Sequence, residues 1–317
     1  MNNEGILKSL ETAMKSIVDV SQIGQSILSA TQFDRFVRAM QRRTNVLQEA
    51  RFIPMDSQKV NIDRIGFAGR VITKAITAAG ASKGSESEVA PAFDTNSLQA
   101  AEFRAKTGIE DRALRRNIER GGLEGTLVDL FGEAAGRDWE EIALLGEAAS
   151  VDIPDTLQAT SGWLEKAATK ISDVDPTASD WPINLFEAAL LAMPKQFWVN
   201  PSEFRFYVPW EVRNAYIDLM IERKTPLGDR ALTDAFGMTY KGIPVVATAM
   251  LERSEKYDYA TLLSHPDNMV WGVFHEITIE PDREPGNRRT NFYLTVEADA
   301  HYEDENAAVA VRIAGDS

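Results

Sequence analysis

Cysteine is absent from this chain, and histidine nearly so, with only His265, His275 and His301 among 317 residues. Without thiols there is no disulfide framework and no thiolate metal site, and a reducing compartment is the simplest expectation. The three histidines form no HExxH pair. His275 and Glu276 are neighbours, so on a strand they face opposite sides. A metal site would need long-range convergence of all three, and the simpler reading has His265 capping a turn and the others on strand faces. Long apolar runs are missing too: none approaches the roughly 18 residues of a membrane span. The N-terminal MNNEGILKSLETAMKSIVDV lacks the compact apolar region and cleavage site of a signal peptide. No GxSxG elbow occurs, which leaves a serine hydrolase without support. The GASKG segment at 80–84 has a lysine between glycines but neither the GK[ST] ending nor the strand–loop–helix setting of a phosphate loop.

What is present is ordinary globular composition, 44% hydrophobic and 26% charged, at a length that allows one large domain or two intimate ones. The net charge of −14 is unevenly placed. Residues 1–149 hold 19 basic and 21 acidic side chains, and residues 150–317 hold 15 and 27. Within the first part, residues 35–74 carry nine basic residues against three acidic ones. Such a run reads either as a solvated basic face or as a segment that meets an acidic surface on another subunit, or a polyanion.

Periodicity organises the chain. Ile6, Leu7, Leu10, Met14, Ile17 and Val18 predict a small amphipathic helix, and Phe33–Met40 a second one. Residues 51–105 are β-like at first and then dissolve into Gly, Ala, Ser and Thr around 78–88. A long hairpin of this composition has too little apolar surface for a core of its own, so a partner subunit is the expected support. From about Asp111 the pattern turns helical, with Leu123, Leu127, Leu130, Phe131, Ala134, Ile142 and Leu145 on related faces. Gly125, Gly132 and Gly136 each weaken that helix by roughly 1 kcal/mol unless they permit close packing. Shorter helices are expected at Trp163–Ile171 and Leu185–Met193, strands or strand ends at 197–201 and 204–209, and an amphipathic helix at Trp210–Arg223. Residues 240–248 read as a turn and a short strand. The closing stretch predicts one long strand at Val270–Glu280, a charged tip at Pro281–Arg289, a second long strand at Asn291–His301 and a short one at Ala307–Ile313. Glu297 and Asp299 share a strand face and could do paired acid/base work. With no His, Lys or metal partner evident nearby in the sequence, a solvated acidic face is the simpler reading.

Taken in order, and most strongly in TYKGIPVVAT (239–248), LLSHPDNMVWGVFHEITIEPDRE (262–284) and TNFYLTVEADAHYEDENAAVAVRIAG (290–315), these elements resemble the major capsid proteins of tailed bacteriophages, the Hong Kong-phage capsid fold shared with encapsulins. The resemblance implies an α+β fold with an N-terminal arm at 1–50 and an extended β-hairpin loop at 51–105. It places a peripheral domain, with the long spine helix and long strands, at 106–185 and 262–305. A mixed α/β axial domain follows at 186–261 and 306–317. It further implies a structural protein rather than an enzyme, needing no cofactor or metal. Such a chain assembles with itself as hexamers and pentamers into an icosahedral shell around double-stranded DNA, without sequence-specific binding and without a membrane. Scaffolding, portal and decoration proteins are the further partners, and the virion, assembled in the host cytoplasm, is the location. The long N-terminal extension of some relatives is lacking, so a separate scaffold is expected. An acidic inner wall would let packaged DNA slide.

The expected contact residues are Arg42, Arg43, Arg51, Arg64, Arg70, Lys74 and Lys83 in the arm and extended loop, and Pro226, Leu227, Asp229 and Arg230 in the loop Thr225–Gly237. At the closing hairpin tip they are Arg283, Asn287, Arg288 and Arg289. Some relatives cross-link subunits through a Lys–Asn isopeptide, for which Lys74 or Lys83 with Asn287 is the suggestive pair. The alternatives are an encapsulin-type compartment shell and, from another class, an acid/base enzyme using Glu297 and Asp299.

Overall fold

The computed structural model describes residues 26–27, 30–42, 44–67, 91–110, 123–151, 153–198, 200–222, 238–254, 256–274 and 277–314. The amphipathic helix expected over the first twenty residues and the loop Thr225–Gly237 lie outside them. Two six-stranded sheets carry the described chain. The first runs β1 (Ser26–Ile27), β12 (Thr278–Glu284), β13 (Arg289–Tyr302), β11 (Met269–Phe274) and β2 (Arg51–Met55), with β5 (Ala101–Glu110) along the other edge of β13. The second runs β6 (Thr169–Ile171), β14 (Ala308–Ala314), β10 (Tyr257–Ser264), β7 (Arg205–Val208), β9 (Ile243–Ala247) and β8 (Thr239–Tyr240). A separate two-stranded ribbon, β3 (Lys59–Phe67) with β4 (Pro91–Gln99), forms the described part of the long hairpin.

The 14-residue β13 organises the first sheet. Its alternation of buried and half-exposed residues matches the period of a strand with one face in the core. Along one edge it pairs with β5, from Arg289↔Glu110 to Ala298↔Ala101. Along the other edge it takes first β12 and then β11, laid end to end. The single strand expected over Val270–Glu280 is therefore two. Val273 opposes Ala298 in the first and Thr278 opposes Thr295 in the second, so the two registers are offset against β13 by two residues. The tip is also tighter than expected. Pairing extends to Glu284↔Arg289, which leaves only 285–288 as the turn, with Arg288 at φ +48°.

Two hydrophobic cores flank the second sheet. Strand β14 is buried on both faces: Ala308 and Ala310 belong to the first core, Val309, Val311 and Ile313 to the second. A strand buried on both sides reads as the continuous apolar run seen in its sequence. The second core centres on Phe186 of helix α5 (Ile183–Ala192), whose ring meets Phe206, Tyr216 and Tyr240 at 5.0–5.3 Å. Helix α6 (Trp210–Glu222), as expected, lays Val212 and Tyr216 on it. The first core lies between the first sheet and the helices α1 (Ala30–Gln41), α2 (Val46–Glu49), α3 (Leu123–Leu145) and α4 (Trp163–Lys166).

Helix α3 is the long helix predicted from the leucine pattern, and two of its glycines explain how α1 crosses it. A Cβ on Gly136 would stand 2.4 Å from the Met40 carbonyl oxygen and 2.6 Å from the Met40 Cα. One on Gly132 would stand 2.6 Å from the Ala39 Cβ. The two helices touch at backbone distance, and the crossing is flanked by Arg35–Asp129 at 2.6 Å and Arg42–Glu133 at 3.3 Å.

Two expected elements differ. The helix starting at Trp163 ends at Lys166, and Thr169–Ile171, with β-branched residues at both ends, pairs parallel to β14 instead. The described residues of 197–201 form no strand. Pro194 precedes one 3₁₀ turn, Lys195–Phe197, and Pro201 opens another, Pro201–Glu203, because a residue without an N–H cannot extend a ladder.

Candidate assembly surface

The chain passes between the two sheets twice at one place. Strand β10 hands over to β11 through 265–268, and β13 hands over to β14 through 303–307. The first crossing is the His-Pro-Asp-Asn turn, and the His265 ring accepts the Asp267 N–H at 3.1 Å, the capping role read from the sequence. Asn268 stitches the crossings together. Its side-chain oxygen accepts the Asp304 N–H at 2.8 Å, its side-chain nitrogen donates to the Asp304 carbonyl at 3.0 Å, and its own carbonyl accepts the Glu303 N–H at 2.9 Å.

The long hairpin is rooted on this junction. Arg64 of β3 forms an ion pair with Asp304, which is only 8% exposed. Asn96 of β4 donates to the carbonyls of Tyr302 and Glu303 at 3.0 and 3.2 Å. Arg51 of β2 reaches Glu303 at 2.7 Å. Beneath these polar contacts Ile62 and Leu98 close a small third core with Met55 and Val270. The root is thus apolar underneath and ionic on top. Further out, Phe93 is 72% exposed.

Asp299 and Glu297, the acid/base pair considered from the sequence, hold the same root. Asp299 is 2% exposed rather than solvated. It accepts the Gln99 N–H at 2.8 Å, the Thr160 hydroxyl at 2.9 Å and the Lys166 ammonium at 3.0 Å. The lysine partner not evident in the sequence is Lys166, which arrives from helix α4. Glu297 accepts from Gln58 at 3.0 Å. Both carboxylates are occupied in fastening residues 58 and 99, where the hairpin begins and ends. His301, nearby, is held below the usual imidazole range by burial and then by the Lys166 charge. Among the described residues no group of acidic or histidine side chains could hold a metal ion.

A second fastening ties the segment after α1 to the body. Glu140 of α3, 3% exposed, accepts the backbone N–H groups of Asn45 at 3.1 Å and Val46 at 2.7 Å. Burial outweighs these two hydrogen bonds and pushes its carboxyl up to about 7. Glu49 at the far end of α2 accepts the Tyr207 hydroxyl at 2.8 Å, so this short helix spans from α3 to the second sheet.

Of the contact residues expected from sequence, Arg43, Arg70, Lys74, Lys83, Pro226, Leu227, Asp229 and Arg230 lie outside the described residues. Arg51 and Arg64 do meet the acidic C-terminal half, but within the chain rather than across subunits, and Arg42 meets Glu133 on α3. Arg283, Asn287, Arg288 and Arg289 gather at the exposed β12–β13 tip. There Asn287 donates to Glu284 at 2.6 Å, and the Arg289 side chain lies over Gly108. Asn96, Asn268, Glu140 and Lys166 were not singled out in the sequence. An asparagine inside a strand, as at Asn96, is the one signal that could have drawn notice, because it is a poor strand former.

No family model matches the chain. It is 29% identical over 317 residues, 98% of either chain, to a Bacillus subtilis (strain 168) protein named as a prophage capsid protein, YqbE. Among solved structures, it superposes on a chain of the satellite phage P4 procapsid with a TM-score of 0.63 at 14% identity, covering 98% of each. It matches the capsid of Myoviridae phage XM1 with a TM-score of 0.55 at 12% identity, covering 84% of this chain and 90% of that one. A gene-transfer-agent capsid is also similar, at a TM-score of 0.52.

Proposed function

We propose that this chain, which has the capsid fold of the tailed phages, is a shell subunit of a phage or prophage particle. The observation that carries the reading is end-to-end likeness: a relative named as a prophage capsid protein and a procapsid chain each match 98% of the residues. A role outside the shell would have to use the same arrangement of arm, hairpin, long helix and two sheets for another end. The proteins it resembles are structural, and its own carboxylate pair is committed to the hairpin root, which leaves the enzyme reading without a site. The solved relatives are phage and gene-transfer particles, which favours the phage reading over an encapsulin shell.

Within that reading the first sheet with α3 is the peripheral domain, the second sheet with α5 and α6 the axial domain, and the β3–β4 ribbon the root of the extended loop. The two separate cores support this division. The subunits associate as hexamers and pentamers through heterologous contacts that close into rings. The loop 225–237 supplies contacts at the ring centres, and the exposed tip of β12–β13 touches neighbours near a three-fold centre. The shell encloses double-stranded DNA without reading its sequence, forms in the host cytoplasm, and calls on separate scaffold, portal and decoration proteins. Electron microscopy of the purified chain, alone and co-expressed with a scaffold from its own genomic neighbourhood, tests this. Round shells of uniform size are expected. Small fixed oligomers under both conditions would overturn it.

A further inference from the structure

Leu130 stands 61% exposed on helix α3, between Asp129 and the buried Phe131. One exposed leucine is ordinary, but this one belongs to a line. Ala134, one turn on, is half-buried, and the sequence carries the same line back to Leu127 and Leu123. At about 100° per residue these four positions share one narrow stripe of the helix. Helix α1 does not cover it, because α1 crosses at Gly132 and Gly136, on the opposite side. The first core does not cover it either, because Trp139 and Ile142, which enter that core, lie a quarter-turn or more round the helix. Among the described residues, then, nothing shields Leu130.

We propose that residues 6–17 of the same chain form a helix that packs along this stripe, parallel to α3, with Ile6, Leu10, Ala13 and Ile17 against Leu123, Leu127, Leu130 and Ala134. This packing concerns one folded chain and does not depend on the shell reading. Spacing is the first support. Both lines run in steps of four, three and four residues, the 3.5-residue repeat that keeps two helices in contact over several turns. In this register small meets large at two levels, Ala13 at Leu130 and Ile17 at Ala134. Charge is the second. Leu7, Ser9, Met14 and Ser16 flank the apolar line, while Glu4, Glu11 and Asp19 fall away from it. No acid is therefore brought against Asp129 or Glu133 of α3. The course of the chain is the third, and it sets the direction. The described chain begins at β1, on a rung that runs Ile27, Thr278, Thr295 and Arg104 across the first sheet. Phe103, beside that rung, meets Trp139 edge-on with ring centres 5.4 Å apart, so β1 is level with the second half of α3. Residue 17 thus lies by Ala134, and residue 6 by Leu123. The rung is three strand spacings wide, roughly 14 Å, and residues 18–25 reach about 26 Å when extended.

Cysteine pairs test this on the unassembled full-length chain, which has no native thiol. In Ala13→Cys with Leu130→Cys, oxidation should form a disulfide within one chain: a monomer that runs faster on a non-reducing gel and has lost both free thiols. Lys8→Cys with Leu130→Cys, whose first thiol lies on the far face of the segment, should keep both thiols under the same oxidation. Mixing chains that carry only Ala13→Cys with chains that carry only Leu130→Cys shows whether a second copy supplies the segment. Dimers there without an internal link in the double variant overturn the inference. Hydrogen exchange reads the same contact in a chain without cysteine. Residues 6–17 should be protected, and Leu130→Asp should speed their exchange about tenfold or more, the effect of withdrawing one leucine from a buried contact, while β14 stays unchanged. Unprotected residues 6–17, or protection indifferent to Leu130→Asp, overturn the inference as well.

Discussion

Substituting alanine for glycine inside a helix normally stabilises it, by about 1 kcal/mol at an exposed position. In α3 the opposite is expected at Gly136, because an added Cβ would stand within 2.4–2.8 Å of three backbone atoms of Met40. Overpacking costs typically 1–3 kcal/mol, and the upper end applies because backbone cannot swing aside as a side chain can. Met40 is also 1% exposed in the first core, so shifting α1 disturbs its packing. Subtracting the gain in helix propensity leaves a net loss of about 2 kcal/mol for Gly136→Ala. Gly132→Ala separates the two contributions. Its nearest obstruction is the Ala39 Cβ at 2.6 Å, which Ala39→Gly deletes. The double variant Gly132→Ala with Ala39→Gly should therefore recover about 1–2 kcal/mol relative to the sum of the single changes, a coupling of the size expected for residues in contact. Gly136→Ala with Ala39→Gly should show none beyond a few tenths. The assay is urea unfolding of the unassembled chain followed by tryptophan fluorescence, to which Trp139, one turn along α3, responds. A stabilising Gly136→Ala, or equal couplings at the two positions, would refute the claim that the helices cross at backbone distance.

Glu140→Gln tests the buried acceptor. A carboxyl raised from 4.5 to about 7 on folding contributes stability that is full below pH 4.5 and is lost as the pH climbs through 7, on the order of 3 kcal/mol in all. The glutamine variant keeps an acceptor oxygen for Val46 and should lose that pH dependence, becoming the more stable chain at pH 8. Parallel pH profiles for the two chains would sink the argument. Asp299→Ala leaves the Lys166 ammonium buried and the Gln99 N–H unpaired, and should destabilise by about 3 kcal/mol. Replacing Lys166 by methionine in the same chain should return part of this, read as a shift in the urea midpoint. Arg64→Ala should release the hairpin root while leaving the two main cores intact. Hydrogen exchange is expected to quicken in 59–67 and 91–99 but not in β14, and an equal change in both would place Arg64 elsewhere in the stability of the fold.

Much of this architecture was legible as pattern. The α1, α3 and α6 helices each show an apolar face at helical spacing, and β14 reads as the uninterrupted run that a doubly buried strand requires. The break between β11 and β12 was not legible, for a definite reason. The registers Val273↔Ala298 and Thr278↔Thr295 differ by two residues, an even offset. An even offset keeps the inward and outward alternation in phase across the break, so the sequence looks like one strand. An odd offset would have flipped the pattern and announced itself. The hairpin root was hidden differently. Arg64 and Asp304 are 240 positions apart, and Asp299 and Lys166 133. No local spacing rule connects such pairs, and the charge counts could suggest only that basic and acidic segments meet somewhere.

That the root lies where the chain twice crosses between sheets bears on how a shell subunit would respond to its neighbours. Arg64 and Asn96 do not grip one sheet. They grip 302–304, the handover from β13 to β14, which Asn268 locks to the handover from β10 to β11. A pull on the hairpin from a neighbouring subunit is therefore delivered to a place where the chain joins both sheets. The Gln58 and Gln99 contacts to Glu297 and Asp299 deliver it also to the body of β13. An arm bolted to both crossings turns by changing how the two sheets sit against each other, not by bending alone at its base. The polar contacts at the root are what impose this, since an apolar root of Ile62, Leu98, Met55 and Val270 by itself would hold the arm without fixing its direction.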